Sequence, residues 1–311
     1  MRVFNKEIDP QTLLNATDRK TGWRPELVTD QYHADKTALN FSSVKHVKKS
    51  PYAFAGSFWG PPKEPTPAMK FGTLVHMAIL EPMKFKTKYV VQPEFTGYTQ
   101  KGELTTSLNC KEVKDKIARW QMDQEPGAVI VTEQEREDIF CMIDSVLSHP
   151  MASKLLTNGQ PETPGYWIDP TTGLPCRMMP DFLAFNADTL TDFKTCADSS
   201  WEAFRKSVEK LHYDVQMAMY DDGVFHITGI RPQHNVWLAT ENVFPFETRV
   251  HEVDPLYKAA GRFQYRENMN KIKQCLKNGE FPQGQLDIIM SQPSSYYFKE
   301  YEQKGAFINE Q

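Results

Sequence analysis

Asp181, Asp192 and Lys194 are the residues of this chain whose types and spacing point most directly to chemistry. Two carboxylates supply the oxygen ligands that a hard divalent cation such as Mg²⁺ takes. A lysine two positions beyond the second carboxylate shares its face if that segment is a strand, because strand side chains alternate. Its ammonium then stands where it can steady an attacking water or the charge that develops on a phosphoryl group. This is the minimum equipment for hydrolysing a phosphodiester. An Asp-x-Lys triplet alone is more often an exposed, ion-paired strand face; the Pro180-Asp181 step upstream lifts it above that background.

The surrounding pattern supplies elements to hold the three groups. Residues 181–185 (Asp-Phe-Leu-Ala-Phe) and 190–195 (Leu-Thr-Asp-Phe-Lys-Thr) read as short strands, with Asn186-Ala187-Asp188 as the turn between them. Folding back at that turn brings the two aspartates together at one end of a hairpin. A helix follows, capped by Ser199 or Ser200, with Trp201, Phe204, Val208 and Leu211 at helical spacing. The next helical stretch carries Gln216 and Tyr220 on one face, with Met217, Ala218 and Met219 for packing. Read alone, Gln216 and Tyr220 are a polar helix surface.

In order along the chain, Pro180-Asp181, Asp192-Phe193-Lys194 and Gln216-x-x-x-Tyr220 resemble the PD-(D/E)xK nuclease superfamily, in its branch with a trailing Q-x-x-x-Y helix. The stretch Phe71-Gly72-Thr73-Leu74-Val75-His76, then Ile79-Leu80-Glu81-Pro82, Trp167 and Thr172-Gly173-Leu174-Pro175-Cys176-Arg177, is similar to the nuclease domain of the exonuclease VIII, or RecE-type, family. The resemblance runs from about Ala38 to about Glu247. It implies an α/β fold of the restriction-endonuclease type, a mixed central sheet flanked by helices.

Carried over residue by residue, the resemblance implies that His76, Asp181 and Asp192 bind the metal, with the Phe193 backbone carbonyl as a further ligand. Lys194 becomes the catalytic lysine, and Gln216 and Tyr220 contact the DNA end or orient the site. Read without the family, His76 lies in an apolar helical run over residues 70–80 that stops at Pro82, and most histidines so placed are packing residues. A neutral imidazole beside two carboxylates is nonetheless compatible with Mg²⁺, or with Mn²⁺ as a substitute. Glu162 and Glu81 are weaker acidic candidates and stand outside the main set. One departure is plain: the family commonly has arginine immediately before Pro-Asp, whereas Met179 stands here, with Arg177 two positions earlier.

Composition is that of a globular enzyme, with 311 residues, 40% hydrophobic and 24% charged. No apolar run is long enough to span a bilayer, and the start of the chain lacks the apolar core of a signal peptide, so the expectation is no membrane association and a cytoplasmic location in a bacterial or phage-infected cell. Five cysteines with no C-x-x-C pair argue against a disulfide framework, a zinc ribbon or an iron–sulfur cluster. The net charge of −4 requires that any DNA contact rest on local basic surface; Lys45, Lys48, Lys49, Arg205, Lys206 and Lys210 are available, though each read singly is a solvated lysine or arginine.

Along the chain, residues 1–35 read as an N-terminal arm or cap, 36–290 as the catalytic domain and 291–311 as an aromatic-rich tail. Within this frame the spacing predicts helices over 37–49, 109–122, 132–147 and 254–277, and strands over 163–168, 235–239 and 246–250. Residues 56–67, rich in proline and glycine, read as a loop. The tail's Tyr296, Tyr297, Phe298, Tyr301 and Phe307 are expected to pack on the core or at a subunit contact.

The resemblance further implies processive 5′-to-3′ digestion of double-stranded DNA from its ends, leaving 3′ single-stranded tails for a single-strand annealing partner in recombination. It also implies a closed homo-oligomeric ring, which would hold the substrate topologically. Two other functions fit the same residues: a structure-specific or single-strand nuclease of this fold, and an inactive module that binds DNA ends.

Overall fold

A computed structural model of the chain describes residues 2–3, 6–7, 9–15, 20–125, 127–284, 288, 290–292 and 294–303. The elements that position the site begin with strand β1 (Gly22–Trp23) and helices α1 (Pro51–Trp59), α2 (Pro67–Leu80) and α3 (Glu133–Ser148). Strands β2 (Gly159–Pro161), β3 (Gly165–Ile168), β4 (Pro175–Met178), β5 (Phe182–Ala184) and β6 (Thr189–Cys196) follow. The set closes with α4 (Trp201–Leu211), α5 (Tyr213–Thr228), β7 (His234–Glu241), β8 (Thr248–Glu252) and α6 (Pro255–Asn278).

The central sheet has the order β8-β7-β6-β5-β2. Its middle pair, β6 and β7, is parallel, and every other pairing in it is antiparallel. This is the mixed α/β sheet of the restriction-endonuclease type that the sequence leads one to expect. Parallel strands are covered on both faces, and the two cores show this directly. Phe193 and Leu238 pack with Leu74, Val75 and Ala78 of α2 and with Ile139, Met142 and Val146 of α3. On the opposite face Leu190, Trp237 and Ala239 pack with Phe204 and Val208 of α4 and Met217 and Ala218 of α5.

Local chemistry sets the element ends. Thr66 accepts from the Met69 amide, with Pro67 in the first turn, and so starts α2. Thr132 and Glu135 form the capping box of α3. Asp254 caps α6, and Gly279, in the left-handed region at φ 68°, ends it.

Several expectations are corrected in detail. The helix expected over 37–49 is a single α-turn at Phe41–Val44 followed by a 3₁₀ turn at Lys45–Lys48. The loop expected over 56–67 begins only after α1, because Ser50 caps that helix and Phe54 and Phe58 bury its face. Among the described residues before 36, Leu13 lies in the main core, β1 pairs with β3, and Tyr32 is buried against Tyr166. In the tail, Ser295–Gln303 is helical with Tyr296 and Tyr297 exposed, so these two rings do not pack on the core. Phe307 lies outside the described residues, as do the side chains of Phe298 and Tyr301.

One polar feature was not foreseen. Consecutive aspartates Asp221 and Asp222 on α5 are buried and held by Arg231, Lys258 and Arg262, with Arg266 joining Asp222 to Asp169. Burial would raise Asp222, but hydrogen bonds from Arg262, Tyr265 and Arg231 overcome it and hold the carboxyl at about 2. The network ties α5 to α6, and Gly261 lets the two helices close: a Cβ there would meet the Asp214 carbonyl oxygen at 2.2 Å and the Val215 nitrogen at 2.9 Å. Backbone atoms cannot yield as a flexible side chain does. Gly261→Ala is therefore expected to lower the unfolding free energy by about 1–3 kcal/mol, measured by urea denaturation; an unchanged midpoint would show that the helices tolerate separation.

Candidate active site

The antiparallel β5–β6 register stops at Phe182↔Thr191, so Asp192 to Lys194 continue past the end of β5 with their β5-side backbone unpaired by a strand. Asp181, immediately before β5, fills that gap: its Oδ2 accepts from the Phe193 amide at 2.6 Å. The hairpin thus joins the two acids as its spacing suggests. The Phe193 carbonyl leaves β6 on the same edge, since a strand residue presents its N–H and C=O to one side, and the His76 ring stands edge-on to the Phe193 ring with centroids 5.0 Å apart.

Asp192 and Lys194 share the α5 face of β6. Lys194 Nζ lies 2.6 Å from Asp192 Oδ2, an ion-pair contact. Gln216 bridges them: its Nε2 donates to Asp192 Oδ1 at 3.1 Å, and its Oε1 accepts from Lys194 Nζ at 3.3 Å. Tyr220 lies one turn further along α5 and is half-buried. In this structure Gln216 bridges the Asp192–Lys194 pair.

On the other side, His76 Nδ1 stands 3.7 Å from Asp181 Oδ2 and 4.0 Å from Glu162 Oε1. One donor atom from each of His76, Glu162 and Asp181 falls within a sphere of mutual distances no greater than 4.8 Å. His76 is brought there by α2, whose Gly72 lies against β6 near Thr195. Glu162 arrives through a turn between β2 and β3 that holds it at φ 44°. A non-glycine residue in that region costs of order 1–3 kcal/mol.

Electrostatics follow from crowding acids in a poorly solvated corner. Burial, reinforced by Asp181, Glu81 and Asp192, pushes Glu162 up to about 9. Asp181 is raised by burial, against the pull of Lys194 and the Phe193 amide. Asp192 is raised to about 6, by burial and then by Asp181. Burial works against the Lys194 ammonium, but Asp192 and Asp181 outweigh it and keep the group charged. Burial and the nearby Lys194 charge hold His76 down at about 4, so its imidazole is neutral and competent to ligate. Three acids against one ammonium, beside a neutral imidazole and a backbone carbonyl, form a donor set that fits a divalent cation taking oxygen and one nitrogen.

The sequence-derived residues converge, with two changes of weight. Glu162 belongs with His76 and Asp181, while Asp192 is turned toward Lys194 and Gln216. Tyr213 was missed: Lys194 Nζ lies 4.7 Å from its ring centroid, and only its place at the start of α5 hinted at this. Glu81 pairs with Lys84 at 2.9 Å and acts on Glu162 through its charge. Arg177 does not stand in for the family's arginine, because it is buried over the Tyr32 ring and donates to the Ala38 carbonyl. Met179 packs against the cluster of Tyr32, Ala38 and Tyr166.

Comparison with known proteins gives a family and a fold. The sequence profile of a family described as a PDDEXK-like domain of unknown function (DUF3799) matches residues 40–290. No curated protein matches the chain in sequence. Among solved structures, that of a candidate exonuclease from Eubacterium rectale aligns over 87% of this chain and 96% of its own, at 15% identity and a TM-score of 0.55, a likeness of fold. SSO0001 aligns over 52% of this chain and 68% of its own at 14% identity, with a TM-score of 0.26, too low to support any argument.

In the metal-free protein the folded state keeps the Glu162 proton up to about 9, whereas the unfolded chain releases it near 4.5. The folded state binds the extra proton across that window, so stability is greatest at its acid end and falls as pH rises through it. Melting temperatures of the metal-free protein should decline from pH 5 to 9, less steeply in Glu162→Gln, and Mn²⁺ at pH 8 should raise the melting point while releasing protons. A flat profile that ignores Mn²⁺ would contradict this account of the cluster.

Proposed function

This chain belongs to the PDDEXK-like DUF3799 family, and on that premise we propose that it is a metal-dependent nuclease that digests double-stranded DNA from its ends. The observation that carries the reading is the Asp192–Lys194 contact of 2.6 Å, set beside Asp181 and held by Gln216. An inactive end-binding module has no need of a charged lysine buried among acids. Support for 5′-to-3′ polarity, for 3′ tails passed to a single-strand annealing protein, and for a homo-oligomeric ring comes from the resemblance of the spaced motifs to the RecE-type family.

His76, Glu162, Asp181 and the Phe193 carbonyl would hold a divalent cation, Mg²⁺ or Mn²⁺, with Asp192 beside them. Bound there, the cation supplies Lewis acidity to the scissile phosphate and lowers the pKa of water. Lys194 contributes a fixed ammonium toward the charge that grows on the phosphoryl oxygens. Asp192 keeps that ammonium protonated and aimed, and Gln216 prevents it from swinging away. Tyr213 covers the lysine with its ring and limits its solvation. Among the described residues no helix is long and apolar enough to cross a membrane.

With Mg²⁺, the protein should shorten 5′-labelled linear duplex and leave a covalently closed circle intact. Lys194→Ala should reduce kcat by about 10²–10³-fold with DNA affinity nearly unchanged, and Asp192→Ala should bind DNA without cutting. Cleavage by Asp192→Ala at the rate of the unaltered protein would overturn the assignment, and equal attack on the closed circle would replace end-directed digestion with internal cleavage.

A further inference from the structure

Exposed apolar side chains are ordinary when scattered singly, so the place of two of them matters here. Helix α2 lies antiparallel along β6. The His76 ring stands 5.0 Å from that of Phe193, and a Cβ on Gly72 would meet Thr195 Oγ1 at 3.4 Å. Four residues of helix, about 6 Å, thus match two of strand, about 6.6 Å. Three residues earlier Met69, 60% exposed, comes level with the end of β6 at Cys196. Seven residues before His76, it lies on the same stripe of the helix.

The chain leaving β7 stays at that same end. The Asn242 amide donates to the Cys196 carbonyl at 2.8 Å, and the Glu241 amide donates to the Glu247 carbonyl at 2.9 Å, which closes a short loop. Phe246 anchors the loop in the cluster that holds Phe193 with Leu74 and Val75 of α2. Phe244 meets this anchor edge-on, with ring centroids 6.4 Å apart, and is 86% exposed. Two residues of strand, one hydrogen-bonded crossing and two residues of loop separate it from Lys194, so the two Cα atoms lie within about 20 Å. The helix that carries His76 and the strand that carries Lys194 are therefore bordered at one end by apolar side chains from two separate elements.

A ring so exposed, in this place, suits a nucleobase. Base–aromatic stacking is sequence-tolerant, because every base has a π-face. Inside a duplex each base is covered on both sides and uncovering it costs unstacking, whereas the last base of an end has one face open. Resting on the nuclease reading, we propose that Phe244 stacks on the terminal nucleobase of the strand being cut, with Met69 bordering the same nucleotide. The ring supplies a preference for ends that the reacting groups do not. His76, Asp181 and Lys194 act on any phosphodiester that reaches them, while Phe244 is satisfied only where a base face is free. Phe244 is a binding residue, and its loss weakens affinity for ends.

The test is fluorescence anisotropy on a duplex closed by a hairpin at one end and open at the other, with Ca²⁺ in place of Mg²⁺ to keep the strand intact. Phe244→Ala removes an exposed ring, and its melting temperature should match that of the unaltered protein. Affinity for the open end should fall about 5- to 20-fold, and Phe244→Trp should restore it. An abasic nucleotide is then placed at the open end of each strand in turn. On the cut strand it should cost the unaltered protein the same factor and cost Phe244→Ala nothing more. Unchanged affinity in Phe244→Ala, or an equal abasic penalty in both proteins, overturns the inference and leaves the nuclease reading standing. A smaller assembly of Phe244→Ala in light scattering, with no abasic penalty in the unaltered protein, assigns the ring to a contact between copies and also overturns it. The abasic scan on the unaltered protein is independent of any variant's folding, and insensitivity at both strand ends overturns the inference as well. Failure of the unaltered protein to bind or cut duplex at all overturns both readings.

Discussion

The structure is arranged around a corner where Glu162, Asp181 and Asp192 are forced together with a single compensating ammonium. Isolated carboxylates so placed would be expelled or neutralised, and burial does push all three toward their protonated forms. Such a cluster persists because rigid elements on every side hold it. The hairpin of β5 and β6 fixes Asp181 on the Phe193 amide, α2 fixes His76 over Phe193, and α5 fixes Gln216 on the pair. The unfavourable charge is the site's readiness for a cation, which gains from each interaction that the acids lose.

Strand β6 connects this corner to the rest of the fold. Its alternate side chains serve different purposes: Phe193 faces α2 and α3 as core, while Asp192 and Lys194 face α5 as chemistry. This alternation was legible in the sequence, as were the turn at Asn186-Ala187-Asp188 and the one-turn spacing of Gln216 and Tyr220. Strong local patterns carried those elements: a two-residue period, a short polar turn and a helical repeat. The mixed order of the sheet was legible as a class through the resemblance of the spaced motifs, which implies a restriction-endonuclease-type fold; that β6 and β7 lie side by side is known only from the structure.

What escaped the sequence is what depends on distant contacts. Glu162 lies just before the strand expected over 163–168 and is only a weaker acidic candidate in the sequence, because nothing local shows that its backbone takes φ 44° and brings its carboxylate to 4.0 Å from His76. Nothing in the sequence singles out Asp221 and Asp222, since burial of two adjacent acids requires the cations of α6 and Arg231, separated from them in the chain. The helix expected over 37–49 shortened for a related reason: Asn40 caps only one α-turn, and the tighter 3₁₀ turn after it lets Val44 and Val47 both reach the core.

The segment before residue 36 changes the meaning of the site's outer wall. Tyr32 stacks on the buried Arg177, and Tyr32, Ala38, Tyr166 and Met179 form one small cluster behind Asp181. A charged side chain at position 179 would have to enter that cluster or turn away from it. Arg177 already occupies the space with a guanidinium over Tyr32, and a second guanidinium beside it would meet a like charge. The apolar residue before Pro180 is thus a packing consequence of an N-terminal segment folded into the body.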